Sequence, residues 1–520
     1  MASTAASSGS FASNPIGKLK TEPDALRREA ESSAEFERVQ EEAKLRRLQA
    51  LLAEQNSQPM TINRLQVHGA TNTRRGFLDP IFKPLLTADI NSSSTLGEVA
   101  ARLGDARGKL ERLGIFHPDP KVHLSNANNT DPSSTPTDVD VDVVVKELSR
   151  YKFNLGTDVG NNEGSASTSL LWRNIFGGAE QLNVNASTGT RTRSAYSATL
   201  SAPVQSNPDT RISLEGLASA TDKSWAAHEE VLKGGNLRFL WHTSPQDVHS
   251  VEYSGIWRQV TGLRDDASPT VRADAGDSVK SSFKHIYQRD LRDNPQLPQS
   301  GYMLRSAFEL AGVGPLGGDV AFSKNELEVG GAVPVPLPGV QGPSGVSIGG
   351  GFRFGMLYPL PLGFSSGQAQ PSRINDRFQL GGPTDVRGFH YGGLGPHDGQ
   401  DAVGGDVFAA GSVNMLFPLP YKGPDSSLRF QVFANSGRLV ALKNKSKTPG
   451  ESLDASGVAR SMLGALNDLG TGLPSTAVGL GLVYAHPVAR FELNFSLPLV
   501  LRRGEQGTKG FQVGVGINFL

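Results

Sequence analysis

From Phe153 onward apolar residues recur at every second position in successive runs, and nowhere in the chain do the roughly 18 consecutive apolar residues of a membrane-spanning helix occur. Phe153, Leu155 and Val159 alternate with Asn154, Gly156, Asp158 and Gly160. The same period returns in Arg211 to Leu217, Leu237 to Trp241, Phe352 to Leu357, Leu428 to Phe433 and Gly479 to Tyr484. Period two makes one face of each segment apolar and the other polar or bare, as in a strand between two environments. Proline-framed phrases (Val335-Pro336-Leu337-Pro338, Tyr358-Pro359-Leu360-Pro361, Phe417-Pro418-Leu419-Pro420) close several runs, and proline cannot donate to a ladder, so they mark strand ends. A soluble sandwich would need its second face covered, whereas lipid covers the outer face of a membrane barrel. At roughly 10 residues per strand plus alternating short and long loops, residues 149–520 have room for about 16 antiparallel strands.

Composition narrows the function. The chain has 520 residues, 60 of them glycine and densest after residue 150, without the triplet period of collagen. Lys+Arg and Asp+Glu both number 51, against a nucleic-acid binder that works through an overall basic field. There is no cysteine, which excludes disulfides, thiolate metal sites and a catalytic thiol. Ten histidines show no ligand-spaced pair; His242 and His249, as near as any couple in the barrel region, read as surface residues. Gly504-Glu505-Gln506-Gly507-Thr508-Lys509-Gly510 lacks the residue order of a phosphate-cradling loop, and no G-x-S-x-G is present. The expectation is a non-enzyme without cofactor or metal.

The N-terminal part reads differently. Met1 to Ser13 is small and polar, with neither basic residue nor apolar core, so no secretory signal or arginine-rich presequence is expected. Residues 1–57 read as a disordered, then charged helical segment: Thr21-x-x-Asp24 with Pro23 opens it, and Leu45, Leu48, Leu51 and Leu52 share one side. Residues 58–148 read as a small α+β domain. Ile62, Leu65 and Val67 suggest a strand ending in Gly69; Gly76 to Leu86 and Leu96 to Leu113 are helix-like; Lys121 to Leu124 and Val139 to Val145 give two more strands. A long Asn- and Ser-rich loop runs from Ser125 to Thr137.

Within the alternating region one phrase is built for a tightly folded loop: Phe378-Gln379-Leu380-Gly381-Gly382-Pro383-Thr384-Asp385-Val386-Arg387-Gly388-Phe389. Its glycines admit positive φ and close backbone approach, and Pro383 fixes a bend, so Arg387 is presented from a loop and not from a strand. This phrase resembles the outer-membrane assembly-factor (bacterial surface antigen, POTRA-barrel) superfamily, and more closely its mitochondrial branch, the barrel subunit of the sorting and assembly machinery. The resemblance covers roughly residues 58–520. It implies a transmembrane antiparallel β-barrel of about 16 strands behind one POTRA-like domain, with a lumen loop (Leu380, Gly381, Gly382, Val386, Arg387, Gly388, Phe389) pinned by its arginine. The family's partner is an aspartate in an x-D-x-G phrase on a nearby strand; in Ala489 to Phe495 the lumen face carries Arg490, Glu492 and Asn494, this chain has Glu492 and Asn494 in place of that phrase, and Glu492 is the proposed partner. The last strand, Gly510 to Leu520, places Phe511, Val513, Val515, Ile517 and Phe519 outward, and its Gln512, Gly514, Ile517 and Phe519 fit the mitochondrial β-signal.

By the same resemblance the function is insertion and folding of β-barrel precursors in the mitochondrial outer membrane. The route is a lateral gate between the first strand (Phe153, Asn154, Leu155, Gly156, Asp158, Gly160) and the last (Gln512, Gly514, Gly516, Ile517, Phe519). Implied partners are barrel precursors, accessory subunits on the cytosolic side, inner-membrane organising proteins and the lipid bilayer, with no nucleic acid; the N-terminal domain is expected in the intermembrane space. Two other readings share the barrel: a passive channel, which has no use for residues 58–148 or an anchored loop, and a membrane tether.

Overall fold

The computed structural model describes residues 55–516 except 87–93, 128–134, 136, 161–162, 337–343, 363–367, 421–422, 424–425, 444–454 and 488, with scattered positions between 40 and 50. The leucine stripe at Leu45, Leu48, Leu51 and Leu52, the tail before it, most of the Asn- and Ser-rich loop, and Ile517 and Phe519 lie outside the described residues. The chain divides into two compact units, one of residues up to Gly69, Asp79–Lys109 and Pro118–Lys146, the other of Ala70–Leu78, Leu110–His117 and Glu147–Leu520.

In the first unit β1 (Pro59–His68), β2 (Ser94–Thr95), β3 (Lys121–Asn126) and β4 (Asp138–Val144) form a sheet in the order β2-β1-β4-β3. β1 and β4 run parallel and the outer pairs antiparallel. Val139, Val141 and Val143 are buried, as are Val99, Leu103 and Ala106, which recur once per turn along the helix Leu96–Arg112. The other helix is Arg75–Leu86. The order read from the sequence is observed, with β2 added between the helices; two residues are too few to carry a period.

In the second unit β5 (Tyr151–Gly160), β6 (Glu163–Arg173), β7 (Gln181–Gly189), β8 (Thr192–Val204), β9 (Asn207–Lys223), β10 (His228–His242), β11 (Asp247–Thr261) and β12 (Gly276–Asp290) follow one another as antiparallel neighbours. The sheet continues through β13 (Gly301–Ala311), β14 (Phe322–Pro334) and β15 (Ser347–Pro359). A long connection holding the short hairpin β16 (His397–Asp398) and β17 (Asp401–Ala402) then leads to β18 (Val407–Pro418). β19 (Leu428–Val440), β20 (Ser475–Ala485), β21 (Arg490–Val500) and β22 (Gly510–Gly516) complete a 16-stranded antiparallel sheet. β15 and β18 end at Pro359 and Pro418, two of the proline-framed positions.

The wall inverts the usual burial. Phe153, Leu155, Leu214, Leu237, Phe352, Val413, Leu480, Leu493 and Phe511 are exposed on the outside, while Asn236, Ser254, Arg258, Glu309, Gln431, Asn435, Glu492 and Asn494 are buried within. An apolar exterior around a polar interior is the partition a spanning barrel requires. A helix not foreseen from the sequence, Ala455–Thr471 between β19 and β20, packs Met462 and Ala465 near Phe354, Met356, Tyr358, Val407 and Val440.

Two features position the site. The sheet's ends, β5 and β22, approach with Cα atoms within 8 Å, yet among the described residues no ladder joins them. The β15–β18 connection folds back into the interior, where its Leu380, Val386, Phe389 and Leu394 share a buried cluster with Leu357, Phe408, Ala410, Leu439 and Ala477 of the wall. Each such side chain contributes about 1.5–3 kcal/mol by leaving water. The loop is therefore seated first by its own apolar residues, and its polar contacts orient it.

Candidate functional site: the loop anchor inside the barrel

Tight backbone geometry aims the loop. Gly381, Gly382 and Gly388 have φ of +109°, +125° and +87°, in the region L side chains avoid. At Gly388 a Cβ would also lie 2.7 Å from the Cβ of Ala477 on β20. Asp385 closes the turn: one carboxylate oxygen accepts from the Gly381 amide at 2.9 Å, and the other accepts from Arg353 Nη1 on β15 at 2.6 Å. Leu394 N donates back to Leu380 O at 3.1 Å, so the stretch between them leaves and returns at one point.

The turn delivers Arg387, which is fully buried, to Glu492 on β21. Arg387 Nε donates to Glu492 Oε2 at 2.9 Å and Nη2 donates to Oε1 at 3.3 Å, the two-pronged geometry in which a guanidinium binds a carboxylate best. Period two explains the partner, because Arg490, Glu492, Asn494 and Ser496 are buried while Phe491, Leu493, Phe495 and Leu497 are exposed. Phe433 of β19 stacks beneath the guanidinium, 5.0 Å from Cζ.

Neighbours of Glu492 complete the anchor: Arg490 and Asn494, which the sequence placed beside it on the lumen face, and Gln431 and Asn435, which it did not assign. Arg490 Nη2 lies 2.6 Å from Glu492 Oε1, so one carboxylate serves two arginines. Asn494 Nδ2 and Gln431 Nε2 donate to Glu492 Oε2 at 2.7 Å and 3.2 Å. Asn435 Nδ2 donates to the carbonyl of Arg387 at 3.0 Å. Alternation places these residues on the lumen face, but not which of the many lumen-facing polar residues the loop reaches.

Gln512 of β22 belongs to the same site. Its Oε1 accepts from the Gly388 amide at 2.8 Å and its Nε2 donates to Phe389 O at 3.2 Å, gripping the loop backbone from the last strand. The β21–β22 connection adds His390 N to Gln506 O at 3.1 Å and Thr508 N to Gly388 O at 2.8 Å. Of the remaining first- and last-strand residues, Gly514 and Gly516 are paired with Glu492 and Arg490 across the β21–β22 ladder. Phe153 and Leu155 point outward at 63% and 76% exposure, Asn154 donates to Ser169 at 3.2 Å, and Gly156 faces Ser167. Asp158 and Gly160 continue β5. The structure thus joins the loop, Glu492 and Gln512 in one constellation and leaves the β5 residues on the other edge of the sheet. His242 and His249 lie on the adjacent strands β10 and β11 but on opposite faces, since His249 is paired with Trp241 and His242 with Val248; the ring beside His249 is that of His285, at 3.4 Å.

The site holds a loop to the interior wall and to the terminal strand at once.

The comparisons with known proteins agree with this geometry. Residues 174–519 match the Omp85 superfamily domain. The SAM50-like protein of Schizosaccharomyces pombe is 37% identical over 93% of this chain and 97% of its own length. The human sorting and assembly machinery component 50 homolog is 32% identical over 83% of this chain and 86% of its own. Among solved structures, BamA from Haemophilus ducreyi lacking POTRA domains 1-3 superposes with a TM-score of 0.67 at 14% identity, covering 88% of this chain and 84% of that one, which shows a common fold. By its domain, its full-length relatives and its barrel, the chain belongs to the Omp85 superfamily and, within it, to the family of the sorting and assembly machinery component 50 homologues.

Proposed function

We propose that this chain assembles other β-barrels, receiving precursor polypeptides and passing them into the mitochondrial outer membrane through a lateral gate between β5 and β22. The observation that carries the reading is the seam: among the described residues, two strand edges lie side by side without a ladder in a sheet whose other neighbours are laddered. A barrel closes in lipid because unpaired backbone there costs several kcal/mol per group, about 2–7 for an amide. A seam that forgoes part of that pairing offers its edge to an incoming strand, and strand exchange needs no nucleotide. Names of the relatives, which include sorting and assembly machinery components, support the same role.

In this reading the loop fixes one side of the gate. Gln512 ties β22 to the backbone of Gly388 and Phe389, while Arg387 and Glu492 tie the loop to the neighbouring β21. β5, outside this constellation, is the edge that moves and pairs with the precursor. Residues 58–148 act as a POTRA-like receiving domain in the intermembrane space, and accessory subunits join from the cytosolic side.

The test uses the absence of cysteine. Gly156→Cys with Gly514→Cys, together with neighbouring registers such as Asn154→Cys with Gln512→Cys, should give an oxidised barrel in at least one pair, since a disulfide needs Cα atoms within about 7 Å. Mitochondria depleted of the wild-type chain should fail to mature imported barrel precursors, the reduced variant should restore them, and the oxidised variant should not. Normal maturation by the oxidised barrel would refute the lateral route, and normal maturation in depleted mitochondria would refute the assembly role.

A further inference from the structure

The loop is held at a second place, far from Glu492. Arg258 on β11 and Asp376, at the start of the loop, are 4% and 2% exposed, and Arg258 Nη1 donates to Asp376 Oδ1 at 2.6 Å. Lys280 on β12 stands 3.9 Å from the same oxygen and is itself bonded to Glu309 at 2.8 Å. Lys324 on β14 donates to the Asp376 carbonyl at 2.9 Å. This limb is also fixed by Ile374, whose amide donates to Asp274 at 2.9 Å and whose side chain packs with Val260, Val271 and Val403. Asp376 thus ties the loop to the β11–β14 arc of the wall, whereas Arg387 ties it to β19–β22.

The two ties are unequal. Glu492 is gripped by two arginines and two side-chain amides. Across the other pair a single hydrogen bond forms, and Asp376 Oδ2, Arg258 Nε and Arg258 Nη2 are buried without a partner among the described residues. A buried charge pair gains on its desolvation only when the remaining donors and acceptors are also satisfied. We propose that Asp376 and Arg258 form a second, weaker lock on the lumen loop and that this is the lock that opens first. The limb at residues 374–380 then swings free of the β11–β14 wall while residues 386–389 stay fixed, so the loop is a strut hinged on its Arg387 side. Asp376 is a positioning residue: it acts on where the loop sits, not on a reacting group.

Amide hydrogen exchange on the purified full-length barrel in detergent separates the two limbs. Reporters on one limb are the amides of Ile374, Asp376 and Arg377, bonded to Asp274 or Arg373; on the other they are those of His390 and Leu394, bonded to Gln506 and Leu380. In the wild type the first set should exchange faster. Asp376→Asn should accelerate it on the order of a hundredfold and change the second set by less than about threefold. The swap Asp376→Arg with Arg258→Asp should recover part of the protection, which a purely steric role for Asp376 would not allow. Equal exchange of both limbs in the wild type, equal loosening of both by Asp376→Asn, or no response at all would overturn the proposal. If Asp376→Asn loses the heat-modifiable migration of a folded barrel, Arg258→Gln serves for the same comparison; loss of folding by both would make the pair a requirement of the barrel and end its role as a releasable lock.

Discussion

Glu492→Gln should be the most damaging single substitution at the anchor, worse than loss of the arginine that defines the loop motif. The substitution keeps the shape, removes the charge and replaces one acceptor oxygen with an NH2 that faces the donors of Arg387, Arg490, Asn494 and Gln431. Arg387 and Arg490, at 0% and 6% side-chain exposure, then face each other without an acid. Removing one partner from a buried pair costs about 3–5 kcal/mol, and here two cations lose the same partner, so a loss of about 5 kcal/mol is expected. Arg387→Met differs, because Glu492 keeps Arg490 at 2.6 Å together with Asn494 and Gln431. It forfeits two charge-assisted hydrogen bonds, partly offset by the relief of burying one charge fewer, for about 2–3 kcal/mol in all. Glu492→Gln combined with Arg490→Gln removes the surplus cation and should be milder than Glu492→Gln alone. The assay is the temperature at which the purified barrel loses its folded migration on a gel, measured for each variant in one detergent. If Arg387→Met were as destabilising as Glu492→Gln, or if the double variant were worse than the single, the shared-carboxylate account would be wrong.

Gly388→Ala should destabilise by about 2–4 kcal/mol, because it forces a side chain into a positive-φ position and against Ala477; adding Ala477→Gly should recover only the steric part, and full recovery in thermal unfolding would deny the backbone strain. Glu147, ahead of β5, has its charge opposed by burial, but hydrogen bonds from Thr73, Asn72 and Thr71 outweigh that and hold its carboxyl below the usual range. Its contribution is therefore present above the ordinary carboxyl pKa and lost as pH falls through the depressed value, so the stability gap between wild type and Glu147→Gln should shrink as pH falls below the ordinary carboxyl range, and a pH-independent gap would contradict it. Protease added to intact mitochondria should spare residues 58–148 and cleave them after outer-membrane rupture; cleavage in intact organelles would reverse the proposed orientation.

How much of this was legible in the sequence depends on how local each signal is. Alternation around Phe153, Phe352, Leu428 and Gly479 identifies strands because the pleat itself has period two, and it assigned Glu492 inward for the same reason. The sixteen-stranded count came from resemblance and length, and the sheet has that number. The helix Ala455–Thr471 carries Val458, Met462 and Ala465 at helical spacing but stands in a stretch to which the sequence reading assigned no element. Asp376 and Arg258 are 118 positions apart on a loop and a strand, and nothing in either neighbourhood names the other. Gln512 was read as a β-signal and gate residue of the terminal strand; its grip on Gly388 and Phe389 appears once the loop's depth in the barrel is known.

That grip also sets an order on how the chain itself matures. Gln512 reaches back 124 positions to Gly388, and the connection that carries Gly388 precedes every strand from β18 onward. Contacts of such long range form late, because the intervening chain must first be organised. The register of β22 is set by its ladder with β21, whereas the clasp of Gln512 on Gly388 and Phe389 completes only once the loop lies inside. A barrel whose loop has strayed therefore lacks the contact that ties its last strand to the interior.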